Sequence, residues 1–549
     1  MRQLDQLTVE KYDTPSILLM EAAADSALQA IASRLQSPLR GKKARILCGP
    51  GNNGGDGAAL ARALCRAGVQ TDVVLFGRIK ETKGDANINF TVVQKLAGFA
   101  AGSTATPSPL SFTECESIQS WEDIARPRGS YDVIVDALFG TGLTRPLAGV
   151  YIQVIEHLAL IRTARERKNS SQPLIVALDI PSGLNADSAE LIGEAVEADL
   201  TVTFTAAKVA NVLPPAAHHC GELVVSNIGT PAALVEAAGT QLFVTEECDA
   251  RDWLIQTRYS SESYKNTHGH ALIVAGSRDY AGAAALCGNA AIKSGAGLVT
   301  IATPLSAQPH VVSRSMPEVI TTSLAETDRG TVSDEAAEYM VRLQEKATVI
   351  ALGPGLSAAD ERTRRFVYSA VQRRSTPMVI DADGLNSLAP WPAELRGSSE
   401  APLVLTPHPG EMLRLLGATE KSALSDRVTA VRQFASAHEL ILVLKGSRSL
   451  IAAPDGRVFV NPTGNPGLGT AGSGDTLTGI IAGFLAQAFA TLKEQANAFT
   501  ATIAALYVAG LAGDIAANEI GMRTMVASDV TNHLGAAVRL LDPRGEAPR

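Results

Sequence analysis

The segment ARILCGPGNNGGDGAALARALCRAG, residues 44–68, places five glycines within 49–57, between an apolar run and a helix-like pattern. Further apolar runs, separated by helical patterns, follow in the first half at 71–76, 131–138, 173–180, 200–204 and 222–226. Runs that are apolar along their whole length are typical of parallel strands covered on both faces. The first half is therefore predicted to be a doubly wound, Rossmann-like α/β domain.

A second series of strand-like runs follows the first, at 270–277, 297–304, 347–355, 377–384, 402–410 and 440–447. It closes with a predicted hairpin around Asp455-Gly456 and a long apolar helix from Asp475 onward. Residues 230–255 lose the alternating pattern, which places the domain junction there. Because 549 residues exceed one ordinary core, we predict two α/β domains, at 1–235 and 250–540.

The composition is that of a globular enzyme, with 46% hydrophobic and 19% charged residues. The net charge of −8 argues against a nucleic-acid or membrane-surface protein. We expect no apolar stretch long enough to cross a bilayer, and the N-terminus lacks the pattern of a cleaved leader. The six cysteines show no metal-site or redox spacing, which predicts reduced thiols and a cytoplasmic protein.

The glycine-rich segment in the first half has the strand–turn–helix order of an anion-binding turn. Free N–H groups at a helix N-terminus attract phosphate, and glycines let the backbone approach a ligand. The alternative is a tight turn that binds nothing. That reading leaves Asn52, Asn53 and Asp56 without a role at the carboxyl end of a strand, where α/β sheets bind ligands.

Two further predicted strands of the first half end in polar residues. VDALFGTGLTRP (135–146) places Asp136 and a second glycine turn at one end, and LDIPSG (178–183) places Asp179 and Ser182 at another. The oxygen donors of Asn53, Asp136 and Ser182 suit an alkali or alkaline-earth ion rather than zinc. Each aspartate alone is more often a cap or turn residue.

The second half carries a different glycine-rich segment, NPTGNPGLGTAGSGDTLTGIIAGF (461–484), which opens the long helix. Its amides at 472–474 would bind a terminal phosphate, and Asp475 is placed to accept a proton from an attacking hydroxyl. No Walker loop is present. In the alternative reading the glycines serve only helix packing, and Asp475 is a favourable charge at the helix start.

Polar loops at neighbouring strand ends favour the phosphoryl-transfer reading. TPHPGEM (406–412) supplies His408 and Glu411, and LKGSRS (444–449) supplies Lys445 and Ser449. Gly355 follows a third strand in LGPGL (352–356).

The first half resembles the epimerase domain of the bifunctional NAD(P)H-hydrate repair proteins, through GPGNNGGDG, DALFGTGLTRP and DIPSG in that order. The resemblance covers about residues 1–230 and implies that K⁺ is held by Asn53, Asp136 and Ser182. It also implies that the hydrated nucleotide is lined by Asn52, Asn53, Gly54, Gly55, Asp56, Gly140, Thr141, Gly142, Leu143, Thr144, Arg145, Pro146 and Asp179. We take Asp179 as the acid–base group.

The second half, about 255–535, resembles the dehydratase domain of the same proteins, a branch of the ribokinase-like fold. The shared motifs are GSRDYAGAAAL, GPGL, DADGLN, TPHPGEM, LKGSRS and GSGD. The resemblance implies a hydrate site with Ala281, Gly355, His408 and Asp475, and Asp475 as the catalytic base. It implies a nucleotide site, with ADP (or ATP) and Mg²⁺, formed by Lys445, Gly446, Ser447, Arg448, Ser449, Gly472, Ser473 and Gly474.

These resemblances lead us to expect a homo-oligomeric enzyme that repairs hydrated NADH and NADPH. The first domain would interconvert the R and S hydrates, and the second would dehydrate the S hydrate with ADP as the preferred phosphoryl donor. The sequence departs from the family at 20–24, where MEAAA replaces the usual MENAG. Two alternatives stay open: a kinase of a small alcohol, and a first domain that only binds or scaffolds.

Overall fold

The computed structural model describes residues 1–101, 109–125, 130–168 and 173–544. It divides into two compact units, Met1–Thr240 and Gln241–Arg549. Each unit is built around its own sheet.

Unit 1 contains a seven-stranded sheet in which every neighbouring pair of strands is parallel. Its strands are β1 (Lys43–Cys48), β2 (Gln70–Phe76), β3 (Leu110–Cys115), β4 (Val133–Ala137), β5 (Leu174–Leu178), β6 (Leu200–Phe204) and β7 (Glu222–Ser226). The order is β3-β2-β1-β4-β5-β6-β7. The chain therefore reverses its direction of winding between β1 and β4, which opens a crevice at their carboxyl ends.

The helices of unit 1 are α1 (Arg2–Tyr12), α2 (Ser16–Leu35), α3 (Asn52–Arg66), α4 (Gly84–Ala101), α5 (Ile118–Ala125), α6 (Val150–Arg167), α7 (Val209–Val212) and α8 (Ala232–Ala237). Helices α2, α3 and α4 pack in one apolar cluster with the sheet, and α5 and α6 pack in another. All five residues of β4, β5 and β6 are buried, as expected for strands covered on both faces. The predicted doubly wound fold of the first half is confirmed.

Unit 2 contains a ten-stranded, mostly parallel sheet in the order β11-β10-β9-β12-β13-β14-β15-β16-β17-β8. Its strands are β8 (Leu242–Val244), β9 (His270–Val274), β10 (Leu298–Pro304), β11 (Ile320–Leu324), β12 (Val349–Leu352), β13 (Met378–Ile380), β14 (Leu403–Leu405), β15 (Ile441–Leu444), β16 (Leu450–Ala452) and β17 (Val458–Val460). Strands β15, β16 and β17 are antiparallel, and β16–β17 is the hairpin predicted around Asp455-Gly456. The winding reverses between β9 and β12.

The helices of unit 2 are α9 (Glu247–Gln256), α10 (Ala281–Lys293), α11 (Gln308–Val312), α12 (Ala337–Gln344), α13 (Glu361–Gln372), α14 (Asp383–Ser387), α15 (Pro409–Leu415), α16 (Arg427–Ala437), α17 (Ser473–Thr491), α18 (Ala498–Ile520) and α19 (Ala527–Leu541). Helices α9, α10, α17, α18 and α19 share one apolar cluster with the sheet. Short 3₁₀ helices occur in both units at Ile79–Glu81, Ala216–His219, Lys265–His268, Asp334–Ala336, Lys421–Leu424, Pro466–Gly469 and Lys493–Gln495.

One helix corrects an expectation from the sequence. Helix α18 is long and apolar enough to cross a membrane, although the sequence was expected to hold no such stretch. Of its most apolar 18-residue window, 72% is buried inside the protein. The same length and apolarity are found in core helices, and α18 packs in that way here.

Three strands, β3, β8 and β11, were missed in the sequence. Each lies at an edge of its sheet and is only partly buried. Strands β3 and β11 mix polar and apolar residues, and β8 has only three residues, so none of them forms a long apolar run. Strand β8 and helix α9 also give regular structure to part of 230–255, where the sequence showed no pattern.

Candidate active sites

The first site lies at the carboxyl ends of β1, β4, β5 and β6, where the winding of unit 1 reverses. The predicted residues lie at the ends of these strands or shortly after them. Because the carboxyl ends of parallel strands meet at one edge of a sheet, these residues lie close together.

The glycine-rich segment is mostly helix rather than loop. Helix α3 already begins at Asn52, so only Gly49–Gly51 connects it to β1. A Cβ on Gly54 would lie 1.8 Å from the carbonyl oxygen of Gly49, and one on Gly57 would lie 2.7 Å from Cβ of Ala137. Helix packing therefore accounts for these glycines. The first-turn N–H groups still have no partner within the helix and can bind an anion.

Two predicted residues, Asp179 and Asn53, lie next to Gly140. A Cβ on Gly140 would lie 3.2 Å from Oδ2 of Asp179 and 3.4 Å from Oδ1 of Asn53. The glycine thus keeps open the space between a carboxylate and an amide. Residues 141–146 continue as a largely exposed loop, and no hydrogen bond from its side chains is seen in the described part of the chain.

Asp179 is held by a residue that the sequence analysis did not select. Nζ of Lys208 lies 2.5 Å from Oδ1 of Asp179, and Oγ1 of Thr203 donates to the same oxygen at 3.3 Å. Lys208 follows β6 by four residues and so reaches the same sheet edge. That position, a lysine just beyond a predicted strand, was a signal available in the sequence.

Asp136 and Ser182 meet directly. Oγ of Ser182 donates to Oδ1 of Asp136 at 2.6 Å, and the Ser182 N–H donates to Oδ2 at 2.8 Å. Burial raises the pKa of Asp136 to about 6, against the lowering effect of these hydrogen bonds. Asn53 is 8% exposed, and neither of its side-chain polar atoms has a hydrogen-bond partner among the described residues.

These three residues fit a monovalent cation. A buried amide oxygen without a partner needs a ligand, and a buried carboxylate with a raised pKa would be stabilised in its ionised form by a nearby positive charge. The donors are all oxygens, which suits K⁺ better than a transition metal.

Two more carboxyl groups stand near Asp179. The pKa of Asp56 is raised well above its usual range, first by burial and then by the negative charges of Asp179 and Asp5. Burial also raises the pKa of Asp5, which α1 contributes and which was not selected from the sequence. Oδ1 of Asp5 is buried without a hydrogen bond. The site is therefore strongly acidic, with Lys208 as its paired cation.

The second site lies at the carboxyl ends of β9, β12, β13, β14 and β15 in unit 2. Ala281 begins α10, and a Cβ on Gly355 would lie 2.8 Å from Cβ of Tyr280, the residue that caps α10. The loop after β12 therefore packs on the start of α10. The predicted hydrate contacts Ala281 and Gly355 are brought together.

The phosphate-binding turn predicted at 472–474 is the N-terminus of α17. Gly472 caps the helix with a φ of 84°, a left-handed conformation that favours glycine. The first-turn N–H groups of Gly474 and Asp475 have no partner within the helix. A Cβ on Gly474 would lie 3.3 Å from Nζ of Lys445, so this lysine faces the turn.

Asp475 stands on the first turn of α17 in an acidic environment. Burial, followed by the negative charge of Asp381, raises its pKa to about 6, while Lys445 acts in the opposite direction. A carboxyl group with that pKa is largely ionised at neutral pH and still binds a proton readily. Those are the properties of a general base.

Lys445 is tied to Asp381, a residue that the sequence analysis quoted within DADGLN but did not select. Its Nζ donates to Oδ1 of Asp381 at 2.6 Å, and Oγ1 of Thr478 donates to Oδ2 at 2.7 Å. Burial lowers the pKa of Lys445, but the charges of Asp381 and Glu411 outweigh it, and the net pKa is raised. Lys445 is therefore a fixed positive charge beside the turn.

His408 has a structural role in addition to the predicted contact. Its Nδ1 accepts hydrogen bonds from Gly410 and Glu411 N–H at 3.0 and 3.3 Å, so it caps α15. The accepting Nδ1 leaves the proton on Nε2, which lies 3.5 Å from Oε1 of Glu411. About half of the His408 side chain is exposed and accessible to a ligand.

The remaining predicted nucleotide residues, 446–449, form the turn between β15 and β16. The carbonyl oxygen of Ser449 accepts a hydrogen bond at 2.9 Å from the N–H of Asn461, the residue that follows β17. Arg448 donates to the carbonyl of Pro462. The turn is thereby anchored next to the segment that leads to α17.

Two family models match the chain, one for each unit. Residues 16–210 match the YjeF-related protein N-terminus, and residues 271–535 match NAD(P)H-hydrate dehydratase. The matched spans contain both candidate sites except Asp5.

Full-length relatives extend the match. A bifunctional NAD(P)H-hydrate repair enzyme from Moorella thermoacetica is 38% identical over 100% of this chain and 97% of its own length. One from Thermofilum pendens is 37% identical over 98% and 95%. A crystal structure of an ADP/ATP-dependent NAD(P)H-hydrate dehydratase from Bacillus subtilis, co-crystallised with ATP/Mg²⁺, is 29% identical, covers 55% of this chain and 100% of that one, and has a TM-score of 0.47. By its full-length relatives, this chain belongs to the family of bifunctional NAD(P)H-hydrate repair enzymes.

Proposed function

We propose that the chain restores hydrated NADH and NADPH in two steps, with unit 1 interconverting the R and S hydrates and unit 2 dehydrating the S hydrate at the expense of ADP or ATP. The observation that carries the proposal for unit 2 is the Asp475 carboxyl group at the N-terminus of α17, beside the Lys445–Asp381 pair.

In unit 2, Asp475 accepts the proton of the substrate hydroxyl while the hydroxyl oxygen attacks the terminal phosphorus of the nucleotide. The bond from that phosphorus to the bridging oxygen breaks, and the N–H groups of Gly474 and Asp475, together with Lys445, stabilise the phosphoryl group in transit. The phosphorylated oxygen then leaves the ring carbon, driven by the lone pair of the ring nitrogen. Loss of a proton from the adjacent carbon restores the dihydropyridine and releases inorganic phosphate.

A Mg²⁺ ion fits this site as a companion of the nucleotide. Within the described residues no group of three or more His, Cys, Asp or Glu side chains is arranged to hold a metal. Mg²⁺ is commonly carried by phosphate oxygens with few protein ligands, and it would neutralise charge on the phosphates. The preference for ADP over ATP, expected from the resemblance of the sequence, is part of our proposal.

In unit 1, Oδ2 of Asp179 is placed to accept the proton of the hydrate's hydroxyl. As the proton leaves, the oxygen forms a carbonyl and the ring C–N bond opens, with the electron pair going to nitrogen. Reclosure on the other face of the carbonyl, with return of the proton, gives the other epimer. Asn53, Asp136 and Ser182 would hold K⁺, which supplies positive charge close to the phosphates on the first turn of α3.

Of the two alternatives, a small-alcohol kinase would use unit 2 alone and would accumulate a phosphorylated product. A scaffolding role for unit 1 would leave Asp179 and its lysine without a task. The change from MENAG to MEAAA lies in α2, where Met20, Ala23 and Ala24 are buried against neighbouring helices. That substitution does not touch the Asp179 pair.

The test uses the purified full chain with mixed hydrate epimers, ADP or ATP, and K⁺ and Mg²⁺ salts. Complete return of reduced-nicotinamide absorbance, with one inorganic phosphate per NADH formed, is the expected result. Recovery that stops at the S share would refute the epimerase function of unit 1. A stable phosphorylated product without phosphate release would refute the dehydratase function and favour the kinase.

A further inference from the structure

Lys208 is a buried cation of unit 1 whose role is not explained by packing. It is 7% exposed and precedes the short helix α7. Burying an ammonium group costs several kcal/mol unless it is paired and hydrogen-bonded, so its partners define its purpose.

The three N–H groups of the Lys208 ammonium match three acceptors. Nζ lies 2.5 Å from Oδ1 of Asp179, 2.8 Å from Oγ1 of Thr203 and 2.8 Å from the carbonyl oxygen of Phe204. An ammonium has three donors, so none remains for a ligand. Lys208 therefore acts on a substrate through Asp179 and not by direct contact.

The lysine fixes one oxygen of Asp179 and leaves the other available. Oδ1 faces Lys208 and Thr203, whereas Oδ2 has no hydrogen bond in the described part of the chain and lies beside Gly140. Asp179 has a φ of 66°, which is costly for a residue other than glycine. Such backbone strain persists where surrounding contacts impose it, and it is concentrated at functional sites.

The charges around Asp179 make the lysine necessary. Asp56 on α3 and Asp5 on α1 both interact electrostatically with Asp179 and with Lys208. Carboxyl groups this close to one another oppose one another's ionisation, so a nearby cation is needed to stabilise the charged form of one of them. Lys208 is the cation in contact with Asp179 among the described residues.

We propose that Lys208 is a positioning residue for epimerisation, which holds Asp179 as a carboxylate with Oδ2 directed at the hydroxyl of the hydrate. The inference rests on the proposed epimerase function. It adds that Lys208 stabilises the charged carboxylate of Asp179 on which that function depends. Removal of the ammonium leaves three neighbouring carboxyl groups without their counter-charge, so the charged form of Asp179 becomes less favourable.

The variants are Lys208→Met, which preserves chain length without charge, and Lys208→Gln, which keeps a hydrogen-bond donor without charge. Lys42→Met is the matched control, because Lys42 forms a partly buried pair with Asp132 at 3.4 Å in the same unit. This pair lies at the amino ends of β1 and β4, away from the site at the carboxyl ends of the strands. Epimerisation of the pure R hydrate is followed by chromatography without ADP or ATP, so that unit 2 is idle. The spontaneous rate is subtracted.

We expect both Lys208 variants to lose about 10²-fold in kcat at neutral pH with little change in KM. The acid limb of their pH–rate profiles should lie at higher pH, so part of the loss is recovered in alkaline buffer. Lys42→Met should follow the wild type. Dehydration of the S hydrate with ADP should be unchanged in every variant, which verifies that unit 2 is intact. Hydrogen exchange of unit 1 peptides at the wild-type rate verifies that unit 1 is folded.

Two results would overturn the inference alone: wild-type epimerisation in both Lys208 variants, or a loss of equal size at every pH, which indicates a purely structural role. If Lys208→Met does not fold, the profile of Lys208→Gln decides in the same way. A wild-type chain that leaves the R hydrate unchanged would overturn the epimerase function and this inference together.

Discussion

Replacing Asp475 by Asn should separate catalysis from stability in unit 2. The substitution removes the proposed base but keeps the size of the side chain and the helix N-terminus. Loss of a general base reduces kcat by about 10²–10⁴-fold. Nucleotide affinity should not fall, because a negative charge next to the phosphates is removed.

The stability effect follows from the pKa of Asp475, raised from 3.8 to about 6. Because the folded pKa lies above the unfolded value, the group's contribution to stability is fully present below about pH 4 and is lost as the pH rises through 6. A difference of about 2 pH units corresponds to about 3 kcal/mol. Asp475→Asn should therefore raise the free energy of unfolding of unit 2 by up to about 3 kcal/mol at pH 7 and by nothing at pH 3.5.

Two measurements on the full-length protein check this. Dehydration of the S hydrate at saturating ADP gives kcat as a function of pH, and the wild-type acid limb should lie near pH 6. Hydrogen exchange of peptides from α17 and α18 gives the local stability of unit 2 at both pH values. Equal losses of kcat and nucleotide affinity, or a variant that exchanges faster than wild type at pH 7, would refute the reasoning.

Three further predictions concern glycines and a proposed cation ligand of unit 1. Gly140→Ala should slow epimerisation without affecting S-hydrate dehydration, because its Cβ would lie 3.2 Å from Oδ2 of Asp179 and would displace this oxygen; normal epimerisation of the R hydrate would contradict this. Asn53→Ala should weaken the activation of epimerisation by K⁺, measured by titrating KCl against choline chloride, and an unchanged half-saturating concentration would remove Asn53 from the cation site. Gly57→Ala should destabilise unit 1 by about 1–3 kcal/mol through contact with Ala137, seen as faster hydrogen exchange in β1 and β4, and unchanged exchange would count against the packing role of this glycine.

The sequence predicted the central strands of both sheets because burial on both faces leaves a direct trace. Strand β6 was located at 200–204, its observed bounds, since all five of its residues are buried. The edge strand β11 was missed because its three central residues, two threonines and a serine, are polar and only partly buried. Periodicity reports burial, so it is weakest where a sheet ends.

The sites were predicted in part because the predicted strands also showed where each strand ends. Asp136 lies at the end of β4, and Asp179 and Lys445 directly follow β5 and β15, so strand ends alone placed each of them at the carboxyl edge of its own sheet. Lys208 and Asp381 were not selected, because their importance lies in which carboxylate or lysine they contact, and a single sequence does not contain that pairing. Asp5 comes from a helix far from the motifs, and only the fold brings it near Asp179.

Both units place a lysine against an aspartate at the carboxyl ends of their strands, with Lys208 buried in one pair and Asp381 in the other. The two pairs differ in the hydrogen bonds that the lysine makes. Lys208 meets three acceptors and is fully used, so the free atom is the Oδ2 of Asp179. Lys445 makes one hydrogen bond, to Asp381, and its Nζ faces Gly474 at the start of α17. The same pairing thus exposes a proton acceptor where a hydroxyl must be deprotonated and a cation where a phosphoryl group must be transferred. In our proposal, the Lys208–Asp179 pair therefore serves epimerisation in unit 1, and the Lys445–Asp381 pair serves phosphoryl transfer in unit 2.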